Sequence, residues 1–190
     1  TICKSEVEVK VQKLNSNGIT VIIPTFNEEE GIGPTLTELT EMMVQDPRYI
    51  VVDGNSTDKT AEIARQMGAS VVMQKGVGKG SAVAQALRFV DSDTRYVVFI
   101  DADFTYPAGH IPGMVRILED NPSVGMVTGK RFHDHSNLKE AMQNVNFLGN
   151  TLLATVHLLL NGAKLDDPLT GLRVVRWETL KKWRPRSRGF

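Results

Sequence analysis

The chain has 190 residues, 22 Lys plus Arg against 22 Asp plus Glu, and 41% hydrophobic residues. That length suits one domain, spanning 1–190, with a substantial core, and the balanced charge gives no net field for nucleic acid. The lone Cys3 excludes an internal disulfide and fits a reducing compartment, and no apolar run approaches the roughly 18 residues of a membrane-spanning helix.

The start, residues 1–13, is charged and lacks an apolar signal core. A β-branched run at 19–23 predicts the first strand, followed by the polar loop Pro24-Thr25-Phe26-Asn27-Glu28. Acidic residues lead into a helical pattern over about 34–44, with Pro34 tolerated in its first turn. Residues 49–52 form a second strand closed by Asp53. Gly54-Asn55-Ser56-Thr57-Asp58 is turn chemistry plus a helix cap, and 60–67 is helical with Gly68 as its stop. A third strand spans 70–73, and Lys75-Gly76-Val77-Gly78-Lys79-Gly80 opens a helix to about residue 90.

Residues 96–100 are a fourth strand, Pro112 starts a helix through Asn121, and 124–128 is a further strand. This alternation with short loops predicts an α/β fold: a Rossmann-like, mostly parallel sheet with right-handed crossovers, flanked by helices. Beyond Arg131 the rhythm breaks. Apolar residues between 137 and 161, Leu138, Met142, Val145 and Leu148 among them, recur at helical spacing. They suit one or two helices packed on the sheet edge, or a surface lying against a membrane. A loop over 166–173 precedes a strand at Val174 and Val175 and a helix over 177–183. The basic end, 184–190, stops without a helix stop, as expected of a chain cut short.

The chemistry concentrates where strands end. After the buried-type run Tyr96-Val97-Val98-Phe99-Ile100 come Asp101 and Asp103, one residue apart. Two carboxylates that close repel each other unless a cation lies between them. A hard divalent ion such as Mg²⁺ or Mn²⁺ answers that need, taking one or two carboxylates and completing its shell with phosphate oxygens and water. A polar turn is the plainer alternative for the pair alone. Three carboxylate-bearing strand ends, at 24–28, 53–58 and 101–103, fall on one rim of a parallel sheet, where ligands bind. Asp53 could there accept from the N–H edge of a base while Asp101 and Asp103 hold metal on a diphosphate. Gly76-Val77-Gly78-Lys79-Gly80 lacks the Walker spacing, and no Gly-x-Gly-x-x-Gly follows the first strand, which disfavours an oxidoreductase-type dinucleotide site.

Pro24-Thr25-Phe26-Asn27-Glu28, Asp53 to Asp58, Lys79-Gly80, Asp101-Ala102-Asp103, Gly129-Lys130-Arg131 and Asp167-Pro168-Leu169-Thr170-Gly171-Leu172-Arg173 occur in one order. That order resembles family 2 glycosyltransferases of the GT-A fold, and the last motif resembles the polyprenyl- (dolichyl-) phosphate sugar synthase branch. The resemblance implies inverting transfer of a sugar from a nucleotide sugar to a polyprenyl phosphate at the cytoplasmic face of a membrane. It implies that Pro24, Thr25, Asn27 and Glu28 line the nucleoside pocket, that Asp53 bonds the base, and that Lys79 lies near the base or phosphates. Asp101 and Asp103, with Ala102 between them, would hold Mg²⁺ or Mn²⁺ on the donor diphosphate. Arg131 and Arg173 suit phosphate, because a guanidinium offers its oxygens a planar fork.

Asp167 has two readings. A sugar-hydroxyl acceptor requires a general base, for which a loop carboxylate is the natural choice. A lipid phosphate is already anionic, its second pKa being about 6, and leaves Asp167 to hold metal or orient a loop. A non-catalytic nucleotide-binding domain is the alternative outside enzymes. The chain departs from the branch at Gly54 and Asn55, where many members are acidic, and at Thr105, where some relatives place a Gln near metal. The Gly-Lys-Gly stretch is similar to users of UDP-sugars, and Asp-Pro-Leu-Thr-Gly to users of GDP-mannose, so the donor stays open. His110, His133, His135 and His157 show no metal spacing and are expected as surface or packing residues. Trp177 and Trp183 are expected to pack. The basic residues from Lys181 to Arg188 form a solvated face or a contact with anionic lipid.

Overall fold

A computed structural model describes residues 18–43, 47–129 and 170–183 of the chain. Its core is a six-stranded sheet in the order β3-β2-β1-β4-β6-β5. The strands are β1 (Ile19–Thr25), β2 (Arg48–Asp53), β3 (Ser70–Met73), β4 (Tyr96–Phe99), β5 (Met126–Thr128) and β6 (Arg173–Arg176). The helices are α1 (Ile32–Met42), α2 (Thr60–Gln66), α3 (Lys79–Ala86), α4 (Ile111–Asp120) and a single turn, α5 (Trp177–Leu180).

β1, β2, β3 and β4 run parallel, with Thr25 opposite Asp53 and Ile22 opposite Phe99. Alternate residues of these strands point to opposite faces, and both faces of β1, β2 and β4 are covered, so those strands are mostly apolar. Val21, Ile23, Val51 and Val98 pack with Leu36, Leu39 and Leu118 of α1 and α4. Ile22, Ile50, Val52 and Val97 pack with Ala82 and Ala86 of α3, and Trp177 and Leu180 lie against the same layer. Each fully buried aliphatic side chain contributes about 1.5–3 kcal/mol.

The chain order turns back on itself between β1 and β4: β2 and β3 extend the sheet on one side of β1, and β4 lies on the other. The carboxyl ends of β1, β2 and β4 therefore share one rim, the expected ligand position of such a sheet. The last two strands differ from simple alternation. β6 enters antiparallel between β4 and β5, pairing Arg173 with both Phe99 and Thr128. Arg173 thus starts its strand at the rim where β4 ends.

Local departures are small. The acidic residues stand before α1 rather than in its first turn, where the Glu28 carbonyl accepts from Gly31 and Ile32. The helix expected over 177–183 ends at Leu180. Gly68 ends α2 at φ +83°, as its position predicts. The helices expected between 137 and 161 lie outside the described residues, as do Arg131, Asp167, His133, His135 and His157. No helix among the described residues is long and apolar enough to cross a membrane.

Candidate active site

A cleft of about 480 Å³ opens over the carboxyl ends of β1 and β4. Pro24, Thr25, Phe26 and Glu28 form one wall, and Asp101, Ala102 and Asp103 form another. Gly54, Asn55, Gln74 and the segment Gly76-Val77-Gly78-Lys79 close the third side, with Ala82 of α3 beneath. Of the residues expected there, Pro24, Thr25, Glu28, Lys79, Asp101, Ala102 and Asp103 come together. Arg173 stands at the same rim, where its Nε donates to the Thr170 carbonyl at 3.2 Å.

Asp53 and Asn27 do something else. Asp53 is fully buried, and its carboxylate accepts from the Ser56 amide at 2.9 Å and the Ser56 hydroxyl at 2.5 Å. Asn27, at φ +53°, donates its amide to the Ser56 hydroxyl and accepts from the Thr57 amide, both at 2.8 Å. Neither lines the cleft. They lace the loop after β1 to the loop after β2. Asp58 adds to this lacing by accepting from Glu29 and Thr60, and the Thr60 hydroxyl above all holds the Asp58 carboxyl below its ordinary value.

Close packing fixes the Asp-x-Asp wall. A methyl group built on Gly31 would lie 2.4 Å from the Ala102 carbonyl oxygen and 2.9 Å from Asp103 Cα. Thr35 of α1 donates its hydroxyl to that same carbonyl at 3.2 Å. Thr105 donates its amide to Asp103 Oδ1 at 3.1 Å and its hydroxyl to the same atom at 2.6 Å. Thr105 thus orients Asp103 from behind.

The cleft is negatively charged at its centre. Glu28, Asp101 and Asp103 face Lys79, the one lining cation among the described residues, whose ammonium pairs with Asp101 Oδ1. Burial, and then the fields of Asp103, Asp101 and Asp58, push the Glu28 carboxyl above its ordinary value. Among the described residues no group of three or more His, Cys, Asp or Glu is placed to hold a metal ion. The site instead offers two carboxylates, one already drawing a cation. That donor set fits a hard divalent ion completed by ligand oxygens and water.

The cleft also holds a feature that the sequence could not show. Thr25 is 7% exposed and its hydroxyl meets no partner, although buried polar groups are normally bonded. Phe26 and Val77, 60% and 83% exposed, present apolar surface at the mouth. Phe26 could have been singled out as an aromatic inside a polar loop. Gln74 could not, because only its bond to the Gly78 carbonyl at 2.8 Å shows that it closes the cleft.

The family pattern described as "Glycosyl transferase family 2" matches residues 20–173. A dolichyl-phosphate hexose transferase of Haloferax volcanii is 36% identical over 85% of this chain and 68% of its own length. Glycosyltransferase AglJ of the same organism is 32% identical over 92% of this chain, which spans 55% of that relative. Among solved structures, glucosyl-3-phosphoglycerate synthase from Mycobacterium tuberculosis, in complex with Mn²⁺, uridine diphosphate and glucosyl-3-phosphoglycerate, superimposes with a TM-score of 0.69. It is 26% identical, over 91% of this chain and 61% of that one. The matched segment runs from β1 to Arg173 and contains every element that builds the cleft, so the chain belongs to glycosyl transferase family 2, as a glycosyltransferase of the GT-A fold.

Proposed function

We propose that the chain is an inverting, divalent-metal-dependent glycosyltransferase that moves a sugar from a nucleotide sugar to a polyprenyl phosphate. One observation carries this: Glu28, Asp101 and Asp103 converge with Lys79 on one cleft whose wall holds the orphaned Thr25 hydroxyl. A nucleoside diphosphate supplies what such a cleft lacks, a polar partner for Thr25 and an aromatic ring for Phe26. Asp101 and Asp103 would hold Mg²⁺ or Mn²⁺, which when bound neutralises charge on the leaving diphosphate. The Mn²⁺ and uridine diphosphate of the mycobacterial synthase complex support the metal and the donor class.

In the transfer, an acceptor oxygen bonds the anomeric carbon from the face opposite the diphosphate as the sugar–phosphate bond breaks, and the nucleoside diphosphate leaves with that electron pair. Lys79, freed from Asp101, would offer its ammonium to the diphosphate. Arg173 at the rim, together with Arg131, would orient the acceptor phosphate. A phosphate acceptor brings its own negative charge and needs little from a general base, which leaves Asp167 an orienting role. The name of the Haloferax relative supports the lipid phosphate acceptor. Such an acceptor would place the protein at the cytoplasmic face of a membrane, with the basic residues near Lys181 toward anionic lipid.

A second reading follows from the mycobacterial synthase, which is in complex with glucosyl-3-phosphoglycerate: a hydroxyl acceptor, which would require a general base. Release of UDP or GDP from the corresponding nucleotide sugar tests both. We expect release only with added polyprenyl phosphate, and Asp103→Ala to lower it by more than about tenfold, since even losing a group that orients a metal ligand costs about 10–100-fold. Equal release with 3-phosphoglycerate or a plain sugar would overturn the lipid-phosphate reading. Unchanged release by Asp103→Ala would overturn the site.

A further inference from the structure

The Asp101 carboxylate is held between two neighbours. On one side Lys79 pairs with Oδ1. On the other lies the main chain of Gly171: a methyl group built there would sit 2.0 Å from Oδ2 and 2.5 Å from Cγ. No side chain can be added at residue 171 without moving Asp101. Gly171 has a tether of its own. Its N–H donates to the Tyr106 hydroxyl at 2.7 Å, a buried bond between residues 65 apart in sequence. Tyr106 is 7% exposed and belongs to the core cluster that includes Leu36, Ile111 and Leu172. Neither Tyr106 nor Gly171 lines the cleft.

We propose that Tyr106 is a positioning residue for the metal site, acting through the Gly171 amide to seat that main chain against Asp101. The inference rests on Asp101 and Asp103 being the metal ligands. The geometry has a rationale. A carboxylate flanked on one side by solvent-exposed Lys79 would otherwise rotate about its two χ angles, and metal affinity falls when a ligand must be ordered on binding. The glycine face limits that rotation, and the phenol fixes the glycine. Residue 171 leads directly into β6, whose first residue is Arg173. The seat of the metal carboxylate and the start of the strand bearing the phosphate-binding arginine are therefore one piece of backbone. Tyr106 couples them.

Tyr106→Phe tests this with almost no change of shape, since it removes only the acceptor of the Gly171 N–H. The readout is the affinity for Mn²⁺, from the electron paramagnetic resonance of the free ion, alone and with UDP or GDP. Loss of a group that orients a metal ligand costs about 10–100-fold in metal affinity, and we expect a rise in Mn²⁺ Kd of that size. Gly171→Ala, which acts on Asp101 directly, should raise it at least as much. Thr94→Val is the control for stability. It breaks a buried hydroxyl bond to Thr20 of 2.9 Å just before β4, at the end away from the cleft, and should lower the melting temperature without changing Mn²⁺ affinity. Parent-like Mn²⁺ binding by Tyr106→Phe and Gly171→Ala, or an equal loss in Thr94→Val, overturns the positioning role alone. Absence of Mn²⁺ binding by the parent chain, with or without nucleotide, overturns the metal site and the inference with it.

Discussion

Thr25 separates folding from function at the level of one atom. Its hydroxyl is buried at the cleft wall without a partner, and such a group costs on the order of 1–3 kcal/mol. Thr25→Val keeps the shape and removes that cost, so the variant should melt higher by about 2–4 °C, the shift of ~1 kcal/mol in a chain of this size. The same variant should bind UDP or GDP more weakly in titration calorimetry. A lower melting temperature with unchanged nucleotide affinity would mean that the hydroxyl has a partner in the fold. Glu28 makes a second case. Its folded pKa lies above the unfolded one, because burial and then Asp103, Asp101 and Asp58 disfavour the ionised form. The ionised group therefore costs stability above the folded pKa, and the cost disappears as pH falls through that value. Glu28→Gln should melt higher than the parent at neutral pH without metal, with the gap closing on acidification. A gap independent of pH would sink this assignment. These residues were legible in sequence as polar groups at strand ends, and the structure brings Asp101, Asp103, Glu28 and Lys79 together as read. Asp53 and Asn27 were legible as polar groups at the same strand ends and read as base and nucleoside contacts, but in the structure they bond the loop after β2. Whether such a group serves a ligand or a neighbouring amide depends on where Ser56 and Thr57 fall, and no spacing encodes that.

Among the elements, β6 shows most clearly what patterning cannot supply. The parallel strands announce themselves by β-branched runs, buried on both faces in β1, β2 and β4, and their order follows from short crossovers. β6 offers only Val174 and Val175 as apolar signal, and its antiparallel place between β4 and β5 is a long-range pairing that local residues do not specify. Arg176 at its end shows how that place is held. The guanidinium donates to the carbonyl oxygens of Leu118, of Asn121 at 3.4 Å and of Val124 at 2.9 Å, closing the end of α4 over the sheet. It also lies 5.8 Å from the Tyr96 ring centre. Carbonyls at a helix end lack intrahelical donors, and a cation there opposes the helix dipole. Arg176→Ala should cost about 1.5–3 kcal/mol, the range for hydrogen bonds to a charged group, read as a lower urea midpoint with unchanged slope. A loss below ~0.5 kcal/mol would show that water replaces the guanidinium without penalty.

At the scale of the whole molecule the chain is electrically neutral, yet its cleft is not. Among the described residues the lining carries three carboxylates against one ammonium, and a diphosphate brought there alone meets repulsion. A divalent cation alone meets Lys79 on Asp101. Each ligand removes the obstacle to the other, so the two should bind with positive coupling, each raising the affinity for the other by the same factor. Melting temperature measures this directly. With UDP, GDP or ADP alone, and with Mn²⁺ alone, the shift should be small. With Mn²⁺ and the matching nucleotide together, a ligand at 100 times its Kd adds about 2.7 kcal/mol, or several degrees. The base that gives the largest joint shift identifies the donor. Donor binding tests the site without depending on the acceptor side. Equal shifts with and without Mn²⁺ would leave Lys79 as the counter-charge among the described residues and remove the metal from the proposal. No shift with any pair would leave the Thr25 hydroxyl and the cleft carboxylates without the ligand that their arrangement requires, and the nucleotide site would fall.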